Sequence, residues 1–200
     1  MPSLERIFSG ALLSLALVAG CAGGTASIED TWRSPNARYG ELTNVVTLSM
    51  SRNQTISRSW EDQLAAQLRK RGVRSTPAYA VLSEEDLSDR NRALSALRAA
   101  GYNGVVTMRL IGKDTQLKYV PTLDEYWGYW GDAWGGEAIP ETVVRIEVNA
   151  YSLHGNRLVW SGISKSTDPE DLRQLIGDVT TVVSRELDKE KIIPGTPAST

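Results

Sequence analysis

The chain has 200 residues and carries 22 Lys and Arg against 24 Asp and Glu, a net charge of −2. Its charges of both signs are interspersed, so no basic patch points to nucleic acid as a partner. It has one cysteine, which excludes an intrachain disulfide, so stability must come from an apolar core.

The first 20 residues have the order of a secretory signal peptide. Arg6 precedes an apolar run from Ile7 to Val18, and small residues follow. The run covers about 18 Å as a helix, well short of the ~30 Å hydrocarbon core, so a membrane-spanning anchor is not expected. Residues 1–20 are therefore predicted to be removed.

Cys21 closes the tetrapeptide Val18-Ala19-Gly20-Cys21, which resembles the lipobox of bacterial lipoproteins. The resemblance implies cleavage before Cys21, lipidation of its thiol and amine, and attachment to an envelope membrane. Ala22 in place of Asp resembles lipoproteins sorted to the outer membrane, which implies a lipid-anchored protein facing the periplasm. The alternative is a simple cleaved signal in which the cysteine occurs by chance.

Composition divides the remaining chain into three parts. Residues 21–40 are rich in Gly, Ser, Thr, Asn and Pro, which predicts a flexible tether with one short strand at Ile28–Arg33. Residues 41–192 are predicted to form a single domain, and residues 193–200 a C-terminal tail.

The front half of the domain alternates strands and helices. Strands are predicted at Thr43–Met50, Val73–Leu82 and Gly104–Ile111, and Pro77 places the second at a sheet edge or a bulge. The first helix has an apolar stripe with Arg58, Glu61, Arg69 and Lys70 off it; the stripe is formed by Ile56, Trp60, Leu64 and Leu68. A second helix begins after Ser83 and ends at Gly101.

The back half predicts a hairpin followed by a helix. Apolar and polar residues alternate strictly over Thr142–Tyr151, and His154-Gly155-Asn156 makes the turn into a strand at Arg157–Ser166. Asp168 and Pro169 then have the spacing of a cap and a first helical residue. The last helix has a continuous apolar face: Leu172, Leu175, Ile176, Val179, Val182, Val183 and Leu187.

This order predicts a mixed α/β fold. Two β-α-β crossovers favour parallel strands in the front half, and the late hairpin adds antiparallel strands. The long final helix is expected to pack on the sheet through its apolar face.

Tyr119–Gly136 is rich in aromatic residues and glycine without helical or strand periodicity. One interpretation is a long hairpin loop whose rings fold back onto the sheet. The other is a contact surface for a protein partner, a sugar face or the lipid headgroup layer. The candidate binding residues are Tyr126, Trp127, Tyr129, Trp130 and Trp134.

Motifs for catalysis are not evident in the sequence. Acidic residues flank the aromatic segment at Asp124, Glu125, Asp132 and Glu137, but their spacing in a loop fixes neither a glycosidase pair nor a calcium site. His154 is interpreted as a solvated turn residue, because no nucleophile motif accompanies it. The expectation is therefore no catalytic residue, no metal and no cofactor.

Two resemblances to known families follow from these residues. The aromatic segment, the strand Glu141–Ala150 and the run Leu158-Val159-Trp160-Ser161-Gly162 resemble an uncharacterised family of Gram-negative envelope lipoproteins. The front half, Val45–Gly104, resembles the layout of the TolB amino-terminal domain and of curli-secretion lipoproteins. These resemblances imply the fold, the compartment and the lipid anchor, and they supply no catalytic residue.

The sequence therefore predicts a non-enzymatic outer-membrane lipoprotein with a role in binding or envelope assembly. Its membrane contact is the lipid anchor, and its expected partner is an envelope protein or a glycan. The alternative is a glycan- or peptidoglycan-binding module that uses the aromatic segment, residues 119–136. A hydrolase is a third possibility.

Overall fold

A computed structural model describes residues 26–120 and 137–195 of the chain. In these two ranges it has six strands: β1 Ala26–Arg33, β2 Asn44–Ser49, β3 Arg74–Pro77, β4 Gly104–Val120, β5 Glu137–Ser152 and β6 Arg157–Thr167. The helices in the same ranges are α1 Gln54–Lys70, α2 Glu84–Ser88, α3 Arg90–Ala99 and α4 Leu172–Lys189, with a 3₁₀ turn at Ala78–Ala80.

The strands form one mixed sheet in the order β1-β6-β5-β4-β2-β3. Strand β2 is parallel to both β3 and β4, as the two crossovers predict. The pairs β4–β5, β5–β6 and β1–β6 are antiparallel. The predicted mixed α/β fold is confirmed.

Successive residues of a strand point to opposite faces, and both faces of this sheet are covered in part. Val45 and Val106 belong to the main core, which α1 and α4 cover. Val46 and Val105 point the other way, into a smaller core with the 3₁₀ turn and α3. Trp60 and Trp160 lie in the main core.

The domain begins earlier than the sequence predicts. The expected strand at Ile28–Arg33 is present as Ala26–Arg33, but it pairs with β6 along its length and is an edge strand of the sheet. The segment after β1 is also attached to the rest of the domain. The Gly40 amide donates a hydrogen bond to the Lys191 carbonyl at 3.0 Å. The tether predicted over residues 21–40 is therefore wrong for residues 26–40.

The C-terminal boundaries also differ from the prediction. Asp171 caps α4 by accepting a hydrogen bond from the Gln174 amide at 2.7 Å, so the helix begins three residues after the predicted Asp168–Pro169 start. Asp168 instead has a left-handed backbone, with φ of 43°. Ile193 is 1% exposed in the main core, so the predicted tail does not begin at residue 193.

Strand β3 is shorter than predicted, and β4 and β5 are longer. The predicted strand Val73–Leu82 ends at Pro77, because the chain turns into the 3₁₀ turn; Pro77 lies on the edge strand, as expected. Strand β4 is paired with β5 as far as Val120, opposite Glu137.

We call residues 115–120 and 137–142 the ribbon, because they pair with each other beyond the last pairings of β2 and β6. Apart from Thr142, the predicted strands Gly104–Ile111 and Thr142–Tyr151 lie outside the ribbon. No helix within the two described ranges has the length and apolar character needed to cross a membrane.

Candidate functional site

A cleft of about 990 Å³ opens between the first turns of α1 and α4, on the face of the sheet that these helices cover. Its base is formed by the end of β2 and by the parts of β4 and β5 next to the ribbon. Its apolar lining is supplied by Met50, Ile56, Trp60, Met108, Leu110, Val144, Ile146, Leu172 and Leu175. The sequence places these residues in five separate elements, and the fold brings them together.

The lining residues differ in exposure from the floor to the mouth. Met108 is 2% exposed on the floor, and Trp60 and Ile146 are buried beside it. At the mouth, Met50 and Leu110 are each 60% exposed, and Leu172 is also exposed. The cleft therefore continues the main core outward into an open apolar surface.

The acidic groups at the rim are engaged by backbone amides. The Thr142 amide donates to Asp168 Oδ1 at 2.6 Å, and the Asp168 amide donates to the Thr142 carbonyl at 2.8 Å. Asp171 accepts from the Gln174 amide as the α4 cap. Asp168 therefore fixes the segment before α4 against β5, and Asp171 caps the helix. The cleft offers an apolar ligand mainly dispersion contact and release of water.

The cations of the rim come from β4. Arg109 pairs with Glu147 on the neighbouring strand, and this carboxylate raises the pKa of Arg109. Lys113 also lines the cleft and is exposed. The rim therefore mixes both signs of charge and does not select for a strongly charged ligand.

Glu61 is predicted to lie off the apolar stripe of α1, but it is a buried carboxylate, so that prediction is wrong. It is 3% exposed. Its Oε1 accepts from the Ser49 amide at 3.0 Å and from the Ser57 hydroxyl at 3.3 Å, and its Oε2 accepts from the Tyr79 amide at 3.2 Å. Glu61 therefore ties α1 to the end of β2, where the cleft begins, and to the 3₁₀ turn.

A sequence signal for the burial of Glu61 does exist. Glu61, Leu64, Ala65 and Leu68 have the i, i+3, i+4, i+7 spacing of one helix face. A carboxylate on that face is costly unless it is hydrogen-bonded, and its partners come from elements that the sequence does not place.

The described residues that line the cleft are not predicted as site residues from the sequence. Cys21 lies outside the described residues, as do the five candidate aromatic residues Tyr126, Trp127, Tyr129, Trp130 and Trp134. His154 is exposed in the turn between β5 and β6, as predicted. Among residues 26–120 and 137–195, no group of three or more His, Cys, Asp and Glu is placed to hold a metal ion.

Similarity to known proteins comes from solved structures. No family model matches the chain, and no curated protein matches it. A PelC dodecamer from Paraburkholderia phytofirmans is 14% identical with a TM-score of 0.48, over 86% of this chain and 99% of that one. The lipoprotein GNA1162 from Neisseria meningitidis is 16% identical with a TM-score of 0.42, over 74% and 99%.

A third similar structure is a minor lipoprotein from Acinetobacter baumannii, which is 11% identical with a TM-score of 0.32, over 75% of this chain and 95% of that one. Two of these three proteins are lipoproteins by name. At these identities and scores, the similarity assigns no function to the cleft.

Proposed function

We propose that this protein is a lipid-anchored, periplasm-facing protein of the bacterial outer membrane that binds an apolar group in its cleft and catalyses no reaction. The observation that carries the binding role is the cleft itself, whose mouth exposes Met50, Leu110 and Leu172. Water released from such a surface favours an apolar ligand or the apolar side chains of an envelope partner. The lipobox ending at Cys21 supports the location.

Binding in the cleft is tested with N-phenylnaphthylamine, an apolar probe whose fluorescence rises when it leaves water. We expect saturable binding to the protein and a loss of about tenfold in affinity for Leu172→Glu, equivalent to ~1.4 kcal/mol. Leu87→Glu is the matched control, because Leu87 on α2 is 47% exposed and Leu172 is 44% exposed. Equal affinity of both variants, or no saturable binding, would contradict the binding role.

The anchor is tested by Cys21→Ser. Several acyl chains hold a lipoprotein in the membrane, and each buried methylene contributes ~0.8 kcal/mol, so their loss should release the protein into the soluble fraction. Membrane fractionation after a salt wash measures this. A Cys21→Ser protein that still sediments with membranes would contradict lipid anchoring.

A further inference from the structure

The first described residue lies level with the mouth of the cleft. Ala26 is paired with Ser166 on β6, Ser166 with Val144 on β5, and Val144 with Lys113 on β4. Val144 and Lys113 both line the cleft. Neighbouring strands are about 4.8 Å apart, so Ala26 is about 10 Å from Val144 across the sheet.

Strand β1 begins at the ribbon side of the sheet. Strands β1 and β5 are both antiparallel to β6, so they run in the same direction. Strand β5 runs from the ribbon toward the turn at His154, so β1 also leads away from the ribbon end. The residues before Ala26 therefore join the molecule at the end that carries the ribbon and the cleft.

Covalent geometry limits the distance between the lipidation site and this end of the sheet. Five residue steps separate Cys21 from Ala26, and at ~3.6 Å per step they span about 18 Å at most. From the level of Lys113, β4 continues for seven residues to Val120, which is about 23 Å at ~3.3 Å per residue. The part of β4 beyond the level of Lys113 is thus longer than the link to the anchor.

Five of the nine large apolar side chains that are exposed in the described residues lie at this end, and the other four are Trp32, Tyr39, Tyr79 and Leu87. Leu117 on the ribbon is 73% exposed, and Leu110 and Ile111 at the ribbon's base are also exposed. Met50 and Leu172 extend this surface across the mouth of the cleft. At the opposite end of the sheet, the turn between β5 and β6 exposes His154, Gly155 and Asn156.

We infer that the ribbon end of this protein lies against the lipid surface, with Leu117 and the mouth of the cleft in contact with the bilayer. The inference rests on the proposed anchor at Cys21. The short link keeps the sheet within about 18 Å of the anchored residue, and the apolar side chains at this end lose water when they enter the headgroup layer. The bilayer is then the partner of the exposed apolar surface.

A depth-dependent fluorescence experiment tests this orientation. The full-length lipidated protein is placed in vesicles of phosphatidylethanolamine and phosphatidylglycerol, with a nitrobenzoxadiazole label on Leu117→Cys or on the control His154→Cys. Lipidation occupies the thiol of Cys21, so the label reports one position. We expect a blue-shifted emission at position 117 that brominated lipids quench, and an unshifted, unquenched emission at position 154.

The outcomes separate the orientation from the anchor. If mass spectrometry shows lipidated protein but position 117 is unquenched, or both positions are quenched alike, the membrane-facing end is wrong and the anchor stands. If the purified protein carries no lipid, the proposed anchor fails and the orientation with it. Lipidated protein that is quenched at position 117 and not at position 154 supports both the anchor and the orientation.

Discussion

Glu41 illustrates how single residues secure the edges of this fold. Its side chain is mostly buried and accepts hydrogen bonds from Arg157 Nη2 at 2.6 and 2.8 Å. Burial by itself would raise the pKa of Glu41, but donors from Ser152 and the Arg38 amide, together with Arg157, outweigh it. The pKa of Glu41 is therefore held below its ordinary value of 4.5. The ionised carboxylate stabilises the folded state.

Glu41→Gln should lower stability at neutral pH by about 1.5–3 kcal/mol, the range for hydrogen bonds to charged groups. Because the folded-state pKa is lowered, this contribution is complete above pH 4.5 and is lost as the pH falls through the lower folded value. Urea unfolding at a series of pH values measures this contribution. The free energy of unfolding of the variant should depend less on pH in the acid range than that of the unchanged protein.

The control for Glu41 is Glu29, whose partner is Arg145 at 2.8 Å. The hydrogen bond from Arg145 lowers the pKa of Glu29 as well, but the Glu29 side chain is 39% exposed. Glu29→Gln should therefore cost at most about 1 kcal/mol. Equal losses for the two variants would mean that burial does not strengthen the Glu41 pair.

Gly162 explains the Trp-x-Gly pattern of β6 in physical terms. A Cβ built on Gly162 would lie 2.3 Å from the Trp160 ring, which is fully buried. Because the ring occupies the space above this glycine, Gly162→Ala should force a shift in the core and cost about 1–3 kcal/mol. Thermal unfolding measures the loss, at roughly 2–4 °C per kcal/mol for a domain of this size.

Gly177 provides the matched control, because a Cβ there would meet nothing within 4 Å. It lies inside α4, where Gly→Ala should stabilise the helix by up to about 1 kcal/mol. A Gly162→Ala protein that melts with or above the Gly177→Ala protein would show that the Trp160 ring moves aside freely.

At the scale of elements, α4 covers the sheet over β1 and β6. Val179 is fully buried in the main core, and a charge there costs several kcal/mol. Val179→Asp should therefore remove most of the free energy of unfolding, which is ~5–15 kcal/mol for a domain, and leave the protein largely unfolded. Far-UV circular dichroism and thermal melting measure this.

Arg173→Asp is the control for Val179→Asp, because Arg173 lies on the exposed side of the same helix. It introduces the same side chain and should melt close to the unchanged protein. A cooperative melt of Val179→Asp at the unchanged temperature would contradict the packing of α4 on the sheet.

The sequence predicts elements well where one periodicity dominates. The alternation around Val144 and the apolar face around Val179 correctly identify β5 and α4. The sequence does not predict the position of an element where contacts with a distant part of the chain determine that position. The strand at Ile28–Arg33 is predicted and present, but its place in the sheet is not predicted, because that place depends on pairing with β6 far along the chain. Asp168 has the sequence of a cap, but its carboxylate bonds Thr142 and the helix starts later.

The cleft could not be predicted from the sequence. Met50 follows β2, Leu110 lies within β4 and Leu172 begins α4, and no local pattern relates these three residues to one another. Their proximity follows from strand order and helix placement. By contrast, the candidate site residues from the sequence, Cys21 and the aromatic residues of segment 119–136, derive from local motifs, and they remain predictions.

At the scale of the whole molecule, the aromatic segment can be separated from the scaffold by changing Trp127 and Trp130 together to Ala. If the segment is a contact surface for glycan, binding to isolated peptidoglycan sacculi should fall while the melting temperature stays unchanged. If the rings are packed in a core, stability should fall by about 3–5 kcal/mol per site. A large drop in the melting temperature would therefore contradict the contact-surface hypothesis.

The pairing of β1 with β6 determines when the molecule can fold during its synthesis. Ala26 emerges near the start of the chain, but Ser166 opposite it follows about 140 residues later. Contacts this distant in sequence slow folding, since a long loop must close before they form. Until β6 arrives, β1 has no partner and one edge of β5 is unpaired. Until almost the whole chain has been synthesised, these unpaired strand edges are therefore exposed to strand-to-strand aggregation.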